Sequence, residues 1–301
     1  LIKRGTCLLP LSRGGCGMVD WETRVRALHV ANVVSLLRRS NCKASAFARY
    51  FVGNRVCALV EGLGHIRTNL LPNAGVLPVY YSNVVSTLRD VKVKSDCTVK
   101  SVYALLEKSL FVPPRCEMFG CNDVGSGDWS RVWKGVWSSY ACGVVSEVRW
   151  RAIHGVTKVR VNLKRWGHNV VSDRCAVCGE PESVEHCFLE CRRAKRAWGW
   201  VMFVLRGIVP RNFCIDRKNV LLCLFDHGRM EDRVMVFVIE TMLNVIWMFR
   251  NRATFDHSVV SYVELVRKCK FDVRARQSVD RYRMSVECFR DTWCNVMCDQ
   301  S

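Results

Sequence analysis

The sequence lacks an apolar run of the length that crosses a lipid bilayer. Its long apolar stretches, such as Trp200–Leu205 and Val234–Ile239, have six residues each, whereas a spanning helix needs about 20. Leu8–Leu11 is likewise shorter than the apolar core of a secretory signal, which has about 7 to 15 residues. We therefore predict a protein that neither binds a membrane nor is secreted, and a chain beginning at Leu1 is expected to be a piece of a longer one.

Acidic residues are also scarce, since 27 Asp and Glu stand against 46 Lys and Arg, a net charge of +19. Such a surface concentrates polyanions and loses this attraction as salt is added. Nucleic acid is the first partner to consider, and a merely soluble basic protein is the alternative. Apolar residues make up 50% of the chain, which is typical of a protein that buries a core and excludes wholesale disorder.

Disulfides are not expected, although the chain has 18 cysteines. This density is below the one that marks small secreted disulfide scaffolds, and a chain without a secretory signal keeps its thiols reduced by default. A reduced cysteine behaves as a small buried apolar residue unless it belongs to a cluster with metal-ligand spacing.

One such cluster is Cys175, Cys178, His186 and Cys191, a C-x2-C-x7-H-x4-C array. The first two thiols suit a tight turn that Gly179 completes with a positive φ, and His186 and Cys191 suit the start of a helix. Four N and S ligands leave no open position for water, which is typical of a structural zinc site. The predicted fold is mostly α, with helical segments around a small CCHC zinc knuckle.

Other cysteines leave alternatives open. Cys187 is a rival ligand beside His186, and its use would make the site four-thiolate. Accidental C-x2-C pairs are also expected in a chain with so many cysteines. Two further pairs have no companion histidine and are left unassigned: Cys116/Cys121 and Cys294/Cys298.

The helical pattern and the turn residues divide the chain into four regions. A helical segment over 1–60 contains a pair of helices that Asp20 begins, and a connecting region over 61–128 contains one short helix around Thr98–Leu110. A zinc-binding domain over 129–205 and a helical C-terminal region over 206–301 follow. In the last region we expect a helix over Glu231–Arg252, although its β-branched residues make a strand possible at its start. A further helix or pair of helices, rich in basic residues, is expected over Ser258–Met297.

Tryptophans are concentrated at the start of the predicted zinc-binding domain. We expect them to form a buried core, and the alternative is a groove in which they stack on the bases of a single strand. They are Trp129, Trp133, Trp137, Trp150 and Trp166.

A basic run follows the last ligand directly. Its helix-forming composition predicts a helix at a fixed angle to the zinc turn, which favours contact with phosphates over a merely solvated face. The predicted phosphate-binding residues are Arg192, Arg193, Lys195 and Arg196.

At this cluster the sequence resembles the zinc-binding domain that follows the polymerase in non-LTR, LINE-type reverse transcriptases. Two flanking stretches are similar to the same polyproteins: the glycine-rich strip 12–20 and the Trp-x-x-Arg-Asn pattern within 246–251. The residues that carry the resemblance near the cluster are Trp150, His154, Cys175, Cys178, Glu182, Ser183, His186, Phe188, Cys191 and Trp198.

The resemblance implies a non-catalytic module that positions template RNA or target DNA, with one structural zinc ion. It implies as partners nucleic acid (element RNA, target DNA or both) and the upstream polymerase domain of the same polyprotein, within a nuclear or cytoplasmic ribonucleoprotein. The alternative is a zinc-stapled scaffold that docks on that polymerase domain.

No enzymatic centre is predicted, although the parent polyprotein would be an RNA-directed DNA polymerase. A polymerase needs paired aspartates that hold two metal ions, and the chain contains no Asp-Asp dipeptide. Some relatives carry an endonuclease built on a Pro-Asp motif, but Arg211 follows Pro210 here. The acidic residues beyond this point show no nuclease spacing, so a nuclease is the least favoured alternative.

Overall fold

A computed structural model shows the chain as two compact units, both mostly helical as predicted. The N-terminal unit comprises Lys3–Pro10 and Gly15–Pro113, and the C-terminal unit comprises Leu1–Ile2, Leu11–Gly14 and Pro114–Ser301. The structure describes residues 2–39, 42–64, 66, 77–114, 116, 124, 128–137, 143–170, 172–211, 213–224, 230–258, 260–293 and 296.

The described part of the N-terminal unit is built from five α-helices with one pair of two-residue strands. Its helices are α1 (Arg4–Leu8), α2 (Trp21–Arg38), α3 (Lys43–Leu59), α4 (Val79–Asp90) and α5 (Val99–Glu107). The strands β1 (Val60–Glu61) and β2 (Val93–Lys94) run parallel, with Val60 opposite Val93.

The helix pair predicted over 21–60 is confirmed, and so is its first cap. The Asp20 carboxylate accepts a hydrogen bond from the Thr23 amide at 3.0 Å, which satisfies one of the amides that a helix start leaves unpaired. The helix predicted around Thr98–Leu110 is α5, and Thr98 caps it together with Ser101.

The region predicted as connection contains an additional helix, α4. Its Val84, Val85 and Leu88 are buried. They lie in the same apolar core as side chains from α2, α3 and α5, so packing supplies the stability that this β-branched sequence lacks as an isolated helix.

The C-terminal unit contains seven α-helices within its described residues. They are α6 (Trp129–Val136), α7 (Gly143–Ile153), α8 (Arg160–Arg165), α9 (Arg192–Leu205), α10 (Met230–Phe255), α11 (Tyr262–Arg283) and α12 (Val286–Trp293). Two π-helical turns, His186–Glu190 and Arg217–Leu221, lie between them. The predictions of a helix over Glu231–Arg252 and of a helix pair beyond Ser258 are confirmed by α10, α11 and α12.

Helix α10 is the central helix of this unit. Val238, Ile239, Met242 and Leu243 have no accessible surface or almost none, and they share one core with α9, α11 and the zinc loop. Arg233–Phe255 is long and apolar enough to cross a membrane, but 72% of its most apolar window is buried inside the protein. The core of the C-terminal unit therefore covers most of the apolar surface of α10.

The favoured interpretation of the tryptophans as a core is confirmed for three of the five, and Trp137 packs against them, whereas Trp166 is half-buried outside this core. Trp129, Trp133 and Trp150 are buried, and the rings of the first two are stacked with centroids 5.7 Å apart. Gly14 packs against this cluster with a φ of +79°, and a Cβ there would lie 2.6 Å from the Trp133 ring. This position therefore requires glycine.

Two donors converge on the Gly14 carbonyl. Trp150 Nε1 donates to it at 2.8 Å, and His154 Nε2 lies 2.9 Å from it. His154, which the resemblance includes by its position in the sequence, is therefore part of this tryptophan cluster. Burial lowers its pKa, and the hydrogen bond to Gly14 opposes that effect.

Candidate metal centre

The four predicted ligands lie on a short loop and on the π-helical turn that follows it. The loop is closed by backbone hydrogen bonds from Cys175 N to Glu180 O at 2.7 Å and from Gly179 N to Cys175 O at 3.0 Å. Gly179 has a φ of +78°, as the sequence predicts. The Val177 amide lies 3.4 Å from Cys175 Sγ, so the turn points a backbone donor at a sulfur ligand.

The second pair of ligands is positioned by local hydrogen bonds. Ser183 Oγ accepts from the His186 amide at 2.9 Å, which begins the π-helical turn. The turn ends where the Cys191 amide donates to His186 O at 2.8 Å. One turn therefore holds the two ligands five residues apart, whereas the sequence predicted an ordinary helix start.

The structure brings these four side chains together. Their ligand atoms all lie within 4.8 Å of one another, and Cys178 is the one ligand that is half-buried rather than buried. Cys175 Sγ and Cys191 Sγ are 4.0 Å apart, and Cys178 Sγ and His186 Nε2 are 3.2 Å apart. Zinc bonds of about 2.3 Å to sulfur and 2.0 Å to nitrogen place tetrahedral ligand atoms about 3.5 to 3.8 Å apart.

Donor type, number and separation thus fit one structural zinc ion. Three thiolates and an imidazole are a common ligand set for such sites, and four protein ligands leave no position for a reacting water. A zinc ion held by these four side chains would stabilise the loop.

The rival ligand Cys187 belongs to the apolar core instead. It is buried and packs in the cluster around α10, outside the four-residue group. Burial strongly raises the pKa of its thiol, with a smaller contribution from the charge of Glu182. The structure therefore brings His186 to the site and supports the mixed Cys and His set.

Electrostatics at the site favour one ionised thiol. The hydrogen bond with Cys191 is the main reason that the pKa of Cys175 falls to about 4, and the Val177 amide contributes to the same effect. The same bond raises the pKa of Cys191. Because the thiolate is the form that binds metal, a lowered pKa of Cys175 favours metal binding.

A buried ion pair fixes this loop to α10. Arg250 donates through Nε to Glu182 Oε1 at 3.1 Å and through Nη2 to Oε2 at 2.5 Å. Both side chains are at most 5% exposed, and Glu182 Oε2 also accepts from the Arg160 amide at 2.9 Å. This bidentate pair joins two parts of the resemblance, the Glu-Ser step of the zinc motif and the Trp-x-x-Arg-Asn helix.

Aromatic contacts strengthen the same junction. The Phe188 ring stacks on Trp247 with centroids 5.9 Å apart, and the Arg250 guanidinium lies 5.1 Å from the Trp247 centroid. Trp198 Nε1 donates to Phe188 O at 2.7 Å from inside the core. Phe188, Trp198 and Trp247 therefore help to position the zinc loop against α10.

The basic run forms the first turns of α9, but its four cations do not share one face. Arg192, Lys195 and Arg196 are exposed, whereas Arg193 is buried and donates to Val260 O at 3.2 Å. Successive helix residues are rotated by about 100°, which places Arg193 nearer to the buried side of α9 than the other three cations. The predicted role of Arg193 is corrected to packing of α9 against the segment before α11.

Other predicted features have separate outcomes. Cys116 is half-buried, and its partner Cys121 lies outside the described residues, as do Cys294 and Cys298. Two of the acidic residues beyond Pro210, which show no nuclease spacing, have structural contacts. The buried Glu240 forms an ion pair with Arg149, and burial raises the pKa of this carboxyl group. Asp216 caps the second π-helical turn by accepting from the Asn219 amide at 2.8 Å.

Sequence reasoning missed the Glu182–Arg250 pair and the partner of Arg193. Glu182 and Arg250 were both named as part of the resemblance, but they are 68 residues apart and no local spacing connects them. The burial of Arg193 has a local signal, because Ala194, Ala197 and Trp198 define the buried side of α9.

Residues 98–198 match a protein family described as zinc-binding in reverse transcriptase. The match contains all four ligands, ends at Trp198 and covers about a third of the chain. A search of curated proteins and a search of solved structures each found no match. The resemblance to a zinc-binding domain of reverse transcriptases is confirmed for the matched segment.

Proposed function

We propose that this chain, with a zinc-binding segment of the reverse-transcriptase type at residues 98–198, is a non-catalytic module that binds nucleic acid. The zinc loop fixes the direction of α9, whose exposed cations contact phosphates of template RNA or target DNA. The wider context is that of a LINE-type polyprotein in a nuclear or cytoplasmic ribonucleoprotein.

The observation that carries this proposal is the attachment of a basic helix face to a zinc ligand. Cys191 is the residue directly before α9, and its carbonyl accepts from the Lys195 amide at 2.8 Å. Arg192, Lys195 and Arg196 follow at spacings that put them on one side of the helix. A rigid support of this kind lowers the entropy that basic side chains lose on binding.

The position of these cations is unfavourable for the helix itself. The amino end of a helix carries a partial positive charge, and each cation there costs about 0.3 to 1 kcal/mol when exposed. The first turn of α9 contains no acidic residue to offset this repulsion. A phosphate backbone would relieve it, which supports a polyanion as the partner.

The test is the salt dependence of binding by the full, zinc-loaded chain to a labelled DNA duplex. Arg192→Ala with Lys195→Ala should lower the slope of log K against log salt by about 0.9 for each phosphate that the helix no longer binds. The matched control is Lys158→Ala with Lys218→Ala, which removes the same charge from other exposed positions of the unit. An equal change in both double variants would show that α9 makes no specific contact.

A second candidate is docking on the upstream polymerase domain. An apolar stripe on α2 favours it, because Trp21, Val25 and Leu28 lie on one helix face and are 75%, 44% and 51% exposed. Under this function, the full chain binds the polymerase domain with little dependence on salt. Trp21→Ser with Leu28→Ser should abolish that binding and leave the nucleic-acid slope unchanged.

A further inference from the structure

A second surface of the C-terminal unit combines exposed aromatic rings with positive charge. It is the outer face of α11, which we define as Arg267, Phe271, Arg274, Ser278 and Tyr282. Their spacings of four, three, four and four residues place them along one side of the helix. Phe271 and Tyr282 are 66% and 94% exposed.

Packing on the opposite side fixes which way this face points. Leu265, Cys269 and Val273 of α11 are fully buried in the core that α10 dominates. The helix cannot turn its aromatic rings inward without exposing these three side chains, at roughly 1.5 to 3 kcal/mol for each large one. The rings of Phe271 and Tyr282 are therefore held outward by the fold.

The charge of α11 is strongly positive at this surface. The helix contains seven basic and three acidic residues, and each acidic residue already has a local partner. Asp272 pairs with Lys268, Asp280 pairs with Arg276, and Glu264 accepts from the Ser261 amide at 2.9 Å. Arg267 and Arg274, which flank Phe271 on the outer face, are both exposed.

We infer that the outer face of α11 binds single-stranded nucleic acid, with bases stacked on Phe271 and Tyr282 and phosphates beside Arg267 and Arg274. Bases in a duplex stack on one another and hide their faces, whereas an unpaired base offers its face to an aromatic ring. The two rings are eleven residues, or about 16 Å, apart along the helix. Each ring is therefore expected to engage a separate base.

This inference rests on the proposed function, because both require nucleic acid as the partner. It concerns a different helix and a different kind of contact. The two helices belong to one unit and meet near the start of α11, since the Arg196 guanidinium lies 5.4 Å from the Tyr262 ring centroid. The cations of α9 contact the phosphates of duplex and single strand alike, whereas the rings of α11 contact the bases of a single strand only.

The experiment measures binding of the full, zinc-loaded chain to labelled oligo(U), to oligo(dT) and to a DNA duplex of equal length. Phe271→Ala with Tyr282→Ala should weaken single-strand binding about tenfold for each ring removed. The salt slope should stay unchanged, because no charge is removed. Duplex affinity should also stay unchanged.

Three controls accompany this experiment. Phe255→Ala removes a phenylalanine of α10 that is 68% exposed and lies off the outer face, so single-strand affinity should be retained. Tyr282→Phe keeps the ring and should bind as the unchanged protein does. Arg267→Ala with Arg274→Ala should lower the single-strand slope by about 0.7 for each phosphate contact.

The outcomes separate this inference from the proposed function. If the unchanged protein binds neither duplex nor single strand, the proposed function and this inference are both wrong. If it binds both and the double aromatic variant loses nothing, the inference alone fails, and the exposed rings are then assigned to a protein partner. An equal loss for duplex and single strand would also overturn it, since such a loss would not come from base stacking.

Discussion

The spacing of a few residues determines which cysteines of this chain can bind zinc. Cys178 and Cys187 lie in the same segment, but Cys178 Sγ is 3.2 Å from His186 Nε2 whereas Cys187 packs in the core. Removing a ligand removes both metal affinity and the folding energy of the loop, because metal binding and folding are coupled.

We therefore predict that substitution of Cys178 removes the zinc ion, whereas substitution of Cys187 does not. Cys178→Ser should lose most of its zinc at neutral pH and melt at a lower temperature. Cys187→Ala should keep one zinc per chain and lose about 1 kcal/mol or more of stability through the cavity it leaves. Metal analysis by mass spectrometry with thermal melting checks both, and a zinc-free Cys187→Ala protein would restore the four-thiolate alternative.

His154 provides a pH dependence that does not involve a ligand. Burial lowers the pKa of His154 from its ordinary value of 6.5. The unfolded chain therefore takes up a proton as the pH falls below about 6.5, while the folded protein does so at a lower pH. The contribution of His154 to stability is complete above about pH 6.5 and is lost as the pH decreases below this value.

The prediction is a fall in the free energy of unfolding of up to about 1.4 kcal/mol per pH unit below pH 6.5. His154→Gln, whose amide can still donate to Gly14, should lack this component. Urea unfolding of the unchanged protein and of His154→Gln in excess zinc, at pH 7.5, 6.5 and 5.5, measures this component. The zinc ligands titrate equally in both proteins, so the difference between them comes from His154. Identical pH profiles would show that His154 does not titrate differently on unfolding.

Part of the site could be predicted at this scale and part could not. The four ligands follow from short spacings, and the positive φ of Gly179 follows from the tight turn. The burial of Arg193 follows from helix geometry once Ala197 and Trp198 are assigned to the core. The bond from Arg193 to Val260 depends on the packing of two distant segments, which no local pattern encodes.

Helices with a clear cap and an apolar pattern were predictable from the sequence. Asp20 begins α2, and the apolar length of 231–252 identifies α10. Helix α4 was missed because its Val79, Tyr80, Tyr81, Val84 and Val85 are poor intrinsic helix formers. The buried core around Val84 and Leu88 overrides that preference, and such a contribution is absent from the local sequence.

The junction between the zinc loop and α10 gives a prediction at this scale. Arg250→Met leaves the Glu182 carboxylate buried without its partner and should cost about 3 to 5 kcal/mol. The control is Lys268→Met, which removes the partly exposed partner of Asp272 and should cost at most about 1 kcal/mol. Urea unfolding of the zinc-loaded variants compares them, and similar losses would show that the buried pair does not stabilise the junction.

Nucleic-acid binding depends on how the positive charge is distributed over the chain. The chain carries a net charge of +19, and the structure places part of it on α9 and α11 in one unit with the zinc loop. A general excess of charge attracts any polyanion, so charge alone does not identify a site. The dependence of binding on zinc distinguishes a positioned basic surface from a diffuse one.

The most direct measurement is the salt dependence of nucleic-acid binding by the full chain, before and after zinc is removed with a chelator, with metal content determined on the same samples. We predict one zinc per chain and a steep slope that becomes shallower when the metal is removed, because α9 loses its support. One bound zinc with the same slope after its removal, or no bound zinc at all, would contradict the proposed role of the zinc loop.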